Sequence, residues 1–209
     1  MASTLACHTS ASPGFSESFD NFDQKLWMRG QHHLGRSQID PANATISGGL
    51  LKLAVPAGTT NGAELRTRST YGYGSYRARI RTANAPSSVT AIFLYVPPDY
   101  ASEIDIEIYN TPSNGTARLS TYSGGTLTHT HEYELPFDPT LTSREYRIDY
   151  RPGTVSFYVD GSMIQTWTDG IPTQPMNLYL NAWFPEWLAG TVSPQPHVAL
   201  VDSVEYTAD

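Results

Sequence analysis

An all-β sandwich of two packed antiparallel sheets is the fold this sequence predicts, and three observations carry it. Helical periodicity is nearly absent. Short alternating runs rich in Val, Ile, Thr and Tyr recur at spacings of about ten residues, and Gly, Asn-Gly, Asp-Gly and Pro punctuate them. Strands are predicted over 44–47, 50–55, 63–68, 75–82, 89–96, 103–110, 117–122, 127–134, 145–150, 154–159, 162–168, 176–182 and 197–207. Helix is expected only as a turn or two in loops.

Individual elements justify the assignment. In "YRARIR", Tyr76, Ala78 and Ile80 share one face while Arg77, Arg79 and Arg81 share the other, as in a strand with one face on a core. "TVSFYVDGSMIQTW" reads as a hairpin, because Asp160-Gly161 accepts the positive φ values of a type I′ turn. Pro152-Gly153 stands in the order of a type II turn. "HVALVDSVEYTAD" alternates over its first half and suits a closing strand. No composition break, charge run or repeat divides the 209 residues, so a single domain over 15–209 is expected. The start, "MASTLACHTSASPG", lacks a basic region followed by an apolar one. Residues 1–14 are expected to be a disordered or trimmed segment.

Charge and cysteine content exclude several classes. A formal charge of −7 with 13 Lys and Arg leaves no basic stripe for nucleic acid or an anionic membrane. No apolar run is long enough to cross a bilayer. The lone Cys7 permits neither an intramolecular disulfide nor a cysteine metal site.

The chemistry concentrates in "SEIDIEIYN" at 102–110. Side chains alternate along a strand, so Glu103, Asp105 and Glu107 share one face and Ile104, Ile106 and Ile108 the other. The isoleucines can be buried between sheets, which leaves the acids on the open face. Glu103 and Glu107 are separated by about 13 Å between Cα atoms, and side chains on a concave strand can close much of that gap. Retaining glycosidases need carboxyl groups about 5–5.5 Å apart and inverting ones about 6.5–9.5 Å. Crowded carboxylates do not ionise together, so one glutamate can serve as nucleophile and the other as acid, with Asp105 sharing a proton between them. Alternation alone fits two readings, a solvated amphipathic strand or a catalytic one.

"EIDIE" resembles the catalytic signature of glycoside hydrolase family 16, whose members are single-domain β-jelly-roll sandwiches of two curved antiparallel sheets. Further segments resemble the family in its own order: "ELRTRSTYGYGSYRARIR" (64–81), "YRPGTVSFYVDG" (150–161) and "MNLYLNAWFPEWLAG" (176–190). The resemblance spans about residues 15–207. It implies Glu103 as nucleophile, Asp105 as assisting acid and Glu107 as acid/base, with retention by double displacement. The motif has no extra residue between Asp105 and Glu107, which resembles lichenases and implies β-1,3-1,4-glucan as substrate. A β-1,3-glucanase, a transglycosylase and a non-catalytic glycan-binding lectin are the rival readings. Two positions depart from the family pattern: Ser102 stands where Asp is common and Tyr150 where Trp is usual. Both bear on substrate preference, since neither removes a catalytic group.

Sugar rings present flat apolar faces, so a glycan groove needs aromatic side chains beside hydrogen-bonding ones. Trp183, Trp187 and Tyr122 are assigned to the groove, and the family pattern adds Phe93 and Tyr95, which fit groove or core. Glu64 and Arg66 match family positions that contact sugar hydroxyls. The paired His32 and His33 lack further ligands at usable spacing and suit a binding loop, while His129 and His131 form at most a weak two-His metal pair. No cofactor is expected for catalysis. The resemblance does imply a structural calcium ion, held by the carbonyls of Ser18 and Gly49 and the carboxylate of Asp202. A secreted, extracellular monomer acting on a β-glucan polysaccharide is the expectation.

Overall fold

The computed structural model describes residues 14–110 and 115–209, so the expected N-terminal segment lies outside the described residues except for Gly14. Among the described residues seventeen strands form: β1 (Phe15–Glu17), β2 (Trp27–Arg29), β3 (His32–Leu34), β4 (Ser37–Ile39), β5 (Ala44–Ile46), β6 (Leu51–Val55), β7 (Ala63–Thr67), β8 (Gly74–Arg81) and β9 (Val89–Val96). They continue with β10 (Ser102–Asn110), β11 (Gly115–Ser123), β12 (Thr126–Glu134), β13 (Arg144–Arg151), β14 (Thr154–Val159), β15 (Ser162–Trp167), β16 (Asn177–Trp183) and β17 (His197–Ala208). A 3-10 turn at Pro41–Asn43 is capped by Asp40, whose carboxylate accepts from the Ala42 amide at 2.8 Å.

Two antiparallel sheets stack, as in a jelly roll. One runs β12-β11-β10-β9-β16-β7-β2 and the other β15-β14-β13-β8-β17-β6-β5. The long β17 lends one edge to β8 and shares the other between β6 and β1. Each strand predicted over 44–207 is present within two residues of its expected bounds. Missing from the prediction are β1 to β4, each three residues long, too short to establish a period of two.

The turns follow their chemistry. Asp160 and Gly161 adopt φ of 47° and 78°, the pair of positive values that lets β14 fold back on β15. Gly153 turns at φ 70° between β13 and β14.

Ile104, Ile106 and Ile108 are fully buried, in one core with Ile92, Leu94, Leu119, Leu178 and Leu180 of their own sheet and Tyr76, Tyr146, Ile148 and Phe157 of the other. Burying each isoleucine contributes about 1.5–3 kcal/mol, enough to hold β10 at the centre of its sheet despite the acids on its opposite face. Three of the core tyrosines place their hydroxyls on backbone carbonyls. Tyr150 donates to the Pro172 carbonyl at 2.9 Å, Tyr206 to that of Tyr73 at 3.1 Å, and Tyr76 to that of Gly72. Tyr150 thus fills a core position. Its departure from the family's Trp lies away from the acid stripe.

Truncating the middle anchor, Ile106→Ala, should lower the unfolding free energy by about 2–5 kcal/mol in urea denaturation, because the rigid sheets on both sides prevent the hole from closing.

Candidate active site

The strand register builds the site. Central in its sheet, β10 pairs with β9 and β11 without a bulge, so each acid has fixed neighbours: Glu103 lies between Tyr95 and Tyr122, Asp105 between Phe93 and Ser120, and Glu107 between Ala91 and Arg118. All three acids line a trough of about 540 Å³ across the outer face of this sheet. Opposite Glu107 the floor residue is the small Ala91.

Burial is the dominant influence on the three carboxyls. It raises Glu103 to about 7, against a downward pull from the Asp105 hydrogen bond and an upward one from the charge of Asp99. It raises Glu107 to about 7 as well, with Arg118 pulling down and Glu103 pushing up. Asp105 is raised furthest above its ordinary range, by full burial first and then by the glutamates on either side. Protonated Asp105 therefore donates to Glu103, and that bond assigns the anion to Glu103. The negative charge on Glu103 in turn favours the proton on Glu107. One carboxylate and one carboxylic acid face the trough near neutral pH.

Ser102 lies on the inner face and is buried, so its loss of a family aspartate is not felt across the trough. Asp99 brings a negative charge to Glu103 instead, from the segment between β9 and β10, where it accepts from the Tyr95 hydroxyl at 2.6 Å. The adjacent Tyr100 packs on Tyr122 with ring centroids 5.0 Å apart. This segment forms the wall at the Glu103 end.

Trp183 and Trp187 form the wall at the Glu107 end. Trp187 is 41% exposed, with Arg118 over its ring at 4.4 Å and Tyr109 edge-on at 5.5 Å. Trp183 covers Gly35, where a Cβ would come within 2.8 Å of the indole, and only glycine readily takes the φ of 53° found there. Arg36 fixes the Trp187 loop by donating to the carbonyls of Pro185, Leu188 and Ser87 at 2.9–3.2 Å. Phe93 and Tyr95 belong to the trough, where Phe93 stacks on Tyr179 at 4.7 Å and Tyr95 meets it edge-on at 5.7 Å.

Beyond β9 the floor turns polar. Glu64 and Arg66 on β7 face the trough beside Asn181 and Tyr179 of β16. Glu64 is 2% exposed, and burial raises it to about 7. Its Oε1 and the Oδ1 of Asn181 have no hydrogen-bond partner. Glu64 Oε1 packs against Gly30, where an added Cβ would lie 2.5 Å from it, and the Glu64 carboxyl also interacts with the Asn181 side chain. His32 lines the same end, with Nε2 3.7 Å from Glu64 Oε2, and burial lowers its pKa so that the ring is neutral there. His33 also lines the trough.

Sequence reasoning missed Tyr179, Asn181, Asp99, Tyr100 and Arg118. A signal existed for the first two, which alternate with leucines in "NLYLNAW" on the same face as Trp183. The others come from a loop or from a strand whose neighbours only the register reveals.

His129 stacks on Trp167 at 4.9 Å and bonds the Asp169 carbonyl at 2.9 Å. Among the described residues no group of three or more His, Cys, Asp or Glu gathers around a metal-sized site. Asp202, nominated for calcium, receives Arg79 Nε at 3.1 Å on one oxygen and Ser143 Oγ at 3.2 Å on the other. Ser18 donates its hydroxyl to Asp20 at 2.8 Å, and Gly49 turns at φ 68°. A divalent cation reaching the Asp202 carboxylate would therefore have to displace the Arg79 guanidinium.

The family model described as glycosyl hydrolases family 16 matches residues 31–193. The chain belongs to that family. It is 28% identical to a beta-glucanase of Bacillus subtilis (strain 168), over 99% of this chain and 90% of that protein. Among solved structures, the Bacillus licheniformis beta-glucanase superposes with a TM-score of 0.86 at 26% identity, covering 95% of this chain and 99% of that one. A prokaryotic beta-1,3-1,4-glucanase (lichenase) derived from a mouse hindgut metagenome gives 0.84 at 28% identity, covering 95% and 100%.

Two outcomes follow from the charges. Glu107 holds its proton up to about pH 7 when folded but only to about 4.5 when unfolded. Its ionisation therefore opposes folding increasingly from pH 4.5 to 7, and fully above. Glu107→Gln should raise the unfolding free energy at pH 8 by on the order of 3 kcal/mol, with the gain vanishing below pH 4.5 in paired urea titrations. The melting temperature should be the same in EDTA and in excess calcium, as read by scanning calorimetry.

Proposed function

We propose that this chain is a retaining endo-β-glucanase that hydrolyses β-1,3-1,4-glucan by double displacement. The observation that carries the reading is the set Glu103, Asp105 and Glu107 on one face of β10, all lining one trough. Glu103 attacks the anomeric carbon as Glu107 protonates the departing oxygen. Glu107 then takes a proton from water, whose oxygen displaces Glu103. Asp105 keeps its proton throughout and steadies Glu103.

Support for a mixed-linkage substrate comes from the bulge-free register of β10 and from likeness to a structure titled beta-1,3-1,4-glucanase (lichenase). Internal cleavage of a polymer is the mode this reading assigns to the trough. Polar acceptors over β7 and β16 bind hydroxyls on one side of the scissile bond, and Tyr122 and Trp187 supply flat surfaces on the other. A polysaccharide of this size is met outside cells, which fits a secreted enzyme. The open acceptors at Glu64 and Asn181 do not distinguish a hydrolase from a lectin, but the three crowded acids do. Sugar binding alone gives no reason to bury them together.

Reducing ends should appear from barley β-glucan faster than from laminarin or xyloglucan. Glu103→Gln should abolish release, and Glu107→Gln should lower kcat by about 10²–10⁴. Binding of all three glucans without cleavage, unchanged in Glu103→Gln, would make the protein a lectin.

A further inference from the structure

Arg118 is a cation beside the acid stripe, next to Glu107 and behind Trp187, where binding a neutral polymer gives it no evident role. It is the residue directly across from Glu107 on β11, and cross-strand neighbours on one face have Cβ atoms about 4.5–5.5 Å apart. Its guanidinium is held against the Trp187 ring at 4.4 Å. Other groups around Glu107 bring no positive charge. Its own strand contributes Glu103, Asp105 and Tyr109; β9 contributes Ala91 and Phe93; β11 adds Tyr122; and β16 adds Asn181 and Tyr179. On β12 the residue opposite Arg118 is Glu132, which accepts from the Tyr109 hydroxyl at 3.0 Å. The loop after β16 adds Trp187 and the exposed Glu186. Arg66, His32 and His33 line the same trough from the β7 side, and Arg118 is the cation paired directly across from Glu107.

We propose that Arg118 is a positioning residue for the acid/base. Held flat by Trp187, it supplies the counter-charge against which Glu107 becomes an anion at the midpoint of the reaction. This rests on the retaining reading above. In the first half, the Glu103 oxygen bonds to the anomeric carbon, the glycosidic C–O bond breaks, and the Glu107 proton leaves with the departing hydroxyl. Glu107 is then a buried carboxylate. Desolvation would pull a proton back onto it before water arrives, and Arg118 opposes that pull. In the second half, water gives its proton to Glu107 and its oxygen to the anomeric carbon, and the Glu103–carbon bond breaks.

The test compares Arg118→Met, which keeps length without charge, with Arg118→Lys, which keeps charge without the planar stack. In wild type, the basic limb of kcat/KM on barley β-glucan reports loss of the Glu107 proton. Arg118→Met should move that limb upward by about one pH unit, with lower kcat as the second half slows. Arg118→Lys should return the limb to its wild-type position. Titrating the 13C-labelled side-chain carboxyl of Glu107 by NMR in the same folded proteins should show the same shift without any substrate. An unmoved limb and an unmoved carboxyl titration in folded Arg118→Met would overturn the inference and leave the glucanase reading intact. Equal shifts in the Met and Lys variants would also overturn it, since charge would not be the cause. If wild type cleaves none of the glucans, the glucanase reading fails, and the NMR titration still decides whether Arg118 governs Glu107.

Discussion

Three isoleucines clamped between two sheets set the position of everything else in this molecule. Because a strand has a period of two, burying Ile104, Ile106 and Ile108 leaves Glu103, Asp105 and Glu107 no choice but the opposite face. The acids do not select their own geometry. The core imposes it, and a slip of one residue would exchange the two sets completely. Pairing with β9 and β11 on both sides makes such a slip expensive, since every neighbour contact would be lost with it.

The same arrangement makes the site costly to fold and useful once folded. Three carboxyls are withdrawn from water with one nearby guanidinium, so protonation becomes the cheapest way to relieve the crowding. The result is division of labour. A proton held by Asp105 stabilises charge on Glu103, and that charge helps keep a second proton on Glu107. The polar floor over β7 and β16 follows a related logic, with Glu64 and Asn181 each burying an acceptor that has no hydrogen-bond partner among the described residues.

Legibility in the sequence tracked periodicity. Strands of five residues or more, the Asp160-Gly161 turn and the two faces of β10 all follow from local pattern, because each is decided by residues two or three apart. The three-residue strands over 15–39 carry no such pattern; they exist because neighbouring strands accept them. Glu64, Arg66, Phe93 and Tyr95 follow from family likeness, Tyr122, Trp183 and Trp187 from the aromatic surface a glycan groove needs, and all line the trough. Asp99 and Arg118 could not be found in that way. Their importance lies in which acid they stand beside, a fact of register and loop path.

The central claim is that Glu103 and Glu107 act from opposite sides of one anomeric carbon, in two displacements. Proton NMR of the first sugar anomer released from barley β-glucan, recorded before mutarotation, tests it most directly. The account predicts the β-anomer, the configuration of the bond that was cut. Initial release of the α-anomer would mean a single displacement and would contradict it.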